Sequence, residues 1–108
     1  MEKQIEKLLE DIAADYKAWQ GVGGRQRGEI QFRMYDEFVL SLRVEHGRKY
    51  IKIIQGDSVW GFINKCNKKF REGDILKSAG WNAPALNKPR GNVLDGNYEI
   101  NWTGPKYL

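Results

Sequence analysis

The sequence predicts a mainly β domain, in which one N-terminal α-helix precedes a small, strongly bent, five-stranded antiparallel barrel. Three observations carry this expectation. Apolar residues recur at spacings of three and four over the first 18 positions. After Gly28 the pattern changes to short β-branched and aromatic runs separated by Gly, Asp and Asn. Five or six such runs are too few to hide their edges in an open sheet, and closure is the simplest remedy.

The helix is expected over residues 2–18, where Ile5, Leu8, Leu9, Ile12 and Tyr16 form one stripe. Acids in its first turn complement the helix dipole, and Gly21 stands where a left-handed cap is needed. The stretch Gly21–Gly28, carrying Arg25 and Arg27, reads as a connector. Its glycines do not form a phosphate loop, because a strand would have to precede them and a helix follow. A first strand is expected over Glu29–Met34. A second is expected where Phe38, Leu40, Leu42 and Val44 alternate with Val39, Ser41, Arg43 and Glu45. His46-Gly47-Arg48 then reverses the chain into Tyr50–Gln55, and Gly56-Asp57 reverses it again into Ser58–Asn64. Gly61 marks a bend in that strand. Glu72-Gly73-Asp74 introduces a strand at Ile75–Ala79, and Asp95-Gly96-Asn97 is a hairpin signal between Val93-Leu94 and Tyr98–Trp102. The tail Gly104–Leu108 is expected to lie on the surface, and the whole chain, 1–108, to be one domain with the barrel over 29–108.

Charge is divided unevenly. Residues 1–18 hold five acids against three bases, while residues 19–108 hold fifteen bases against nine acids, which leaves the chain at +4. A local excess of cations outside the helix builds a field that attracts phosphate. Cys66 is the only cysteine, so no internal disulfide and no zinc site is expected. No apolar run approaches the roughly 20 residues that cross a bilayer, and a cytoplasmic location is expected, the host cytoplasm if the chain is viral. Enzyme chemistry is not expected, since His46 is the only histidine and stands in a turn. No cofactor is implied.

The candidate site is a polar loop beside a basic barrel. Trp81 offers a ring on which a base stacks, a contact worth on the order of 1–3 kcal/mol. Asn82 and Asn92 offer amides for base edges, and Arg90 a planar fork for base or phosphate. Arg48, Lys49, Lys65, Lys68, Lys69, Lys77 and Lys88 supply cations for a phosphate backbone, and those at strand ends converge if they share one rim. The core reading of Trp81 stands beside this one, while Trp60, Phe62 and Trp102 are expected in the core.

Gly73-Asp-Ile-Leu-Lys77, Trp81, Ala83-Pro-Ala85 and Arg90-Gly-Asn-Val93, with Val59-Trp-Gly-Phe-Ile63, resemble a group of small marine proteins of apparent cyanophage origin with an Sm-like (Sm/LSm, SH3-like) fold. Arg90-Gly91 is also similar to the core of the second Sm motif, in which the arginine holds an RNA base at the inner rim of a ring. The resemblance implies an N-terminal helix on a bent five-stranded barrel, a homo-oligomeric ring and no catalysis. The expected function is therefore Sm-like, non-enzymatic binding of single-stranded RNA, or of DNA, in nucleic-acid processing or chaperoning. The alternative is a phage assembly or host-protein-binding module with Trp81 and Tyr107 as anchors.

Overall fold

The stripe of Ile5, Leu8, Ile12, Ala13 and Tyr16 winds into α1 (Glu2–Gln20) and is buried along its length. A computed structural model describes residues 1–20 and 29–105. Two carboxylates one turn apart flank the stripe and fasten distant chain to the helix. Asp11 accepts a hydrogen bond from the Tyr98 hydroxyl, and Asp15 Oδ2 accepts one from the Trp102 backbone N–H at 2.8 Å.

The next element corrects the sequence expectation. Glu29–Ser41 is a second helix, α2, and the strand that was expected to start at Phe38 starts only at Leu42. Phe38 is buried and its ring stacks on Tyr16, with centroids 4.1 Å apart and planes 4° from parallel. Leu40 settles the period: the alternating reading turns it inward with Phe38, yet it is 84% exposed. The Ser41 hydroxyl donates back to the Phe38 carbonyl at 2.6 Å in the last turn.

Four strands then form one antiparallel sheet in sequence order: β1 (Leu42–His46), β2 (Tyr50–Gln55), β3 (Ser58–Asn64) and β4 (Ile75–Leu76). The expected turns hold. Gly56, at φ 59°, and Asp57 join Gln55 to its partner Ser58. The bend expected near Gly61 is a bulge: Ile53 pairs with Gly61 and Ile54 with Val59, which leaves Trp60 as the extra residue. A Cβ at Gly61 would lie 3.0 Å from the Leu76 carbonyl and 3.1 Å from Pro105, so the bend is tightly packed.

The sheet does not close, and the five-stranded barrel is not formed. Its first expected strand lies in α2, and β5 (Gly91–Asn92), β6 (Asn97–Tyr98), β7 (Ile100–Asn101) and β8 (Gly104–Pro105) pair two by two as separate ribbons. Residues 90–93 follow β4 through Arg90 N–H to Ile75 O and Val93 N–H to Gly73 O, but among the described residues β1 remains an edge. The Asp95-Gly96 signal does join β5 to β6.

The core joins the α1 stripe and Phe38 to Ile51 and Ile53 of β2, Trp60 and Ile63 of β3, Ile75 and Val93. One face of the sheet is therefore covered by helix. Alternation places Tyr50 and Lys52 of β2 on the other face.

Candidate nucleic-acid interface

The β1–β2 turn collects the cations. The Lys49 carbonyl accepts the backbone N–H groups of Lys65 and Cys66 at 2.8 and 3.3 Å, so the chain leaving β3 lies beside the turn. The Lys65 ammonium donates to the Gly47 carbonyl at 3.0 Å. Arg48, Lys49 and Lys65 thus share one rim, as the strand-end argument expects.

Below this rim the outer face of the sheet supplies an aromatic floor. Tyr50 and Phe62 meet edge to face at 6.1 Å, and the Asn67 amide holds the Tyr50 hydroxyl at 2.7 Å. Lys52 lies between β1 and β3, paired across the ladders with Glu45 and Phe62. The far wall comes from the loop after β4. There Ala79 and Gly80 N–H donate to the Ala83 carbonyl and Ala85 N–H to Lys77 O, so the chain doubles back with Trp81 and Asn82 at its tip. The Lys52 ammonium stands 5.0 Å from the Trp81 ring centroid, a cation–π contact that ties wall to floor.

The cleft between them is half open and about 290 Å³ in volume. It is lined by Arg48, Lys49 and Lys52, by one carboxylate, Glu45, beside Lys52, by His46, by the rings of Tyr50 and Phe62, and by Asn82. Trp81 is 44% exposed, which rejects the core reading for it. Trp60 and Phe62 are buried as expected, and Trp102 is partly so. Cations for phosphate, rings for stacking and an amide for a base edge therefore meet at one place.

The second half of the expected site points elsewhere. Arg90 is 3% exposed, and its guanidinium donates to Asn87 Oδ1 at 3.0 Å and to the Lys88 carbonyl, closing its own loop. Asn92 is also buried. Its amide donates to Glu72 O and Asp74 Oδ1, both at 2.9 Å, and accepts from Leu94 and Asp95 N–H at 2.8 and 3.1 Å. Those four bonds use its whole capacity for a base edge, and the buried Arg90 is turned into its own loop and away from the base-holding role that the Sm-like motif implies. Gly91, at φ 134°, is required between them because a Cβ would sit 2.4 Å from that of Tyr98.

The remaining cations divide. The Lys69 ammonium donates to the Leu86 carbonyl, which braces the Trp81 loop from behind. Lys68 and Lys88 are exposed and Lys77 is half-buried, but none of them lines the cleft. Arg71 pairs with Asp95 at 2.8 Å, and this hydrogen bond holds the Asp95 carboxyl below its ordinary range. Arg25, Arg27 and Tyr107 lie outside the described residues. Sequence reasoning counted Lys52 among the cations of the basic span but left Tyr50 and Phe62 out of the site. The available signal was parity, since Tyr50 and Lys52 alternate with the apolar Ile51 and Ile53.

A helix-backed antiparallel sheet with a basic, aromatic-floored cleft on its open face is the class of arrangement these elements define. The chain belongs to DUF7717, a family of unknown function whose model matches residues 1–107. No curated protein and no solved structure matches it. Among the described residues, no helix is long and apolar enough to cross a membrane.

Proposed function

We propose that this chain is a non-enzymatic binding protein for single-stranded nucleic acid, with RNA as the leading polymer, acting in the cytoplasm in nucleic-acid processing or chaperoning. The observation that carries the reading is a cleft lined by Arg48, Lys49 and Lys52, with Lys65 on the adjoining rim and the Trp81 indole against Lys52. Phosphates run along the cationic rim, and an unstacked base lies on Trp81 or enters over Tyr50 with Asn82 at its edge. A duplex keeps its bases stacked away from such a cleft. The exposed edge of β1 supports homo-oligomeric assembly by strand pairing.

The test is an anisotropy titration of labelled single-stranded RNA, single-stranded DNA and duplex at several salt concentrations. Four phosphate contacts give a slope of log K against log salt of about −3 for a single strand. Single strands are expected to bind more tightly than duplex. Failure to bind any of the three at low salt overturns the proposal.

A further inference from the structure

At the opposite end of the β1–β2 hairpin the surface has the reverse chemistry. Leu42 and Gln55 pair there, next to the end of α2, while the basic cleft opens beyond His46 and Tyr50. Trp19, 51% exposed, leans on the partly buried Trp102 with ring centroids 5.1 Å apart, and Tyr16 meets Trp102 edge to face at 5.1 Å. Two clefts of about 440 and 360 Å³ share these two indoles as a common wall.

Each cleft carries a carboxylate and, among the described residues, no lysine or arginine. Asp15 stands in the first, held by the Trp102 N–H on Oδ2, which leaves Oδ1 as an acceptor. Glu37 stands in the second beside Met34, which is 42% exposed. We propose that this surface binds an arginine-bearing segment of a basic protein partner. Guanidinium planes stack on the indole faces and pair with Asp15 and Glu37, while Met34 takes the apolar stem of a neighbouring side chain. Charge complementarity selects this occupant. A nucleic acid is repelled by the two carboxylates, and an uncharged apolar peptide desolvates Glu37 and Asp15 Oδ1 without giving them a cation. The site stands on observations separate from the basic cleft.

The experiment is calorimetric titration of the full chain with a flexible nine-residue peptide holding three arginines among Gly and Ser, and with the same peptide carrying citrulline in their place. The arginine peptide is expected to bind at least about 10-fold more tightly, since citrulline keeps the shape and loses the charge. Trp19→Ala and Glu37→Gln should each weaken it by about 3- to 30-fold, with Trp19→Phe in between and Lys49→Glu no weaker than the parent chain. Circular dichroism checks that each variant is folded. Equal binding of the citrulline peptide, or unchanged affinity in Trp19→Ala, overturns the proposal. So does Trp19-dependent self-association in light scattering, which makes a second copy of the chain the occupant.

Discussion

Residues 77–85 and residues 87–92 are two neighbouring polar loops of similar composition, yet one presents its side chains and the other consumes them. The first is closed by backbone alone, through Ala79, Gly80 and Ala85 N–H groups, so Trp81 and Asn82 remain exposed at its tip. The second shows no backbone hydrogen bond onto itself, its main chain pairing outward with Ile75 and with β6. Arg90 closes it with its side chain on Asn87 Oδ1 and the Lys88 carbonyl, while Asn92 is spent on Glu72, Asp74, Leu94 and Asp95, and both are buried in doing so. A polar loop is thus available for recognition to the extent that its main chain satisfies itself.

This contrast is sharpest in stability. Asn92→Ala removes four hydrogen bonds and deprives the buried Asp74 of a donor, at an expected cost of about 2–4 kcal/mol in urea unfolding. A cost below about 1 kcal/mol would break the distinction. Arg90→Ala should cost about 1–3 kcal/mol while leaving RNA affinity of the folded protein unchanged. Trp81→Ala should do the reverse, with stability within about 0.5 kcal/mol and RNA affinity lower by roughly 5- to 150-fold. Lys49→Ala should flatten the salt slope by about 0.7, measured in the same titration, whereas Lys88→Ala should leave it unchanged.

The smallest effect comes from Tyr98, which stands between β6 and α1. Burial, and then donation to Asp11, push its phenol above the ordinary value of 10.0. A raised folded-state pKa means that this contribution is fully present below about pH 10 and is lost as pH rises toward the folded value. Urea midpoints measured from about pH 9 to 11 should fall more steeply for the parent chain than for Tyr98→Phe. Equal slopes would remove the Asp11 contact from the account.

The helix α1 and the β2–β3 hairpin were legible because their signals admit one reading only. Ile5, Leu8, Ile12 and Tyr16 fit a helix and no strand, while Gly56-Asp57 fixes a two-residue reversal. The stretch from Phe38 to Val44 was not. A spacing of four residues satisfies both a helix and a strand, so Phe38 and Leu42 share a face in either case, and only the exposure of Leu40 separates them. The barrel was lost with that segment. At the site, Arg48, Lys49, Lys65, Trp81 and Asn82 were found because turn ends and loop tips are local features. The inward course of Arg90 was hidden because its acceptors, Asn87 Oδ1 and the Lys88 carbonyl, are set by loop geometry.

The four indoles are distributed in a way that makes the protein its own optical instrument. Trp60 is sealed in the core with Nε1 on the Asn101 carbonyl, and Trp81 and Trp19 each mark one of the two opposed surfaces. Replacing Trp81 by phenylalanine leaves Trp19 and Trp102 to report from the acidic clefts, and replacing Trp19 and Trp102 together leaves Trp81 to report from the basic one, with Trp60 as a shielded internal standard against collisional quenchers. Occupancy of the basic cleft and of the acidic aromatic clefts is thereby readable separately, one variant for each surface and without an added dye.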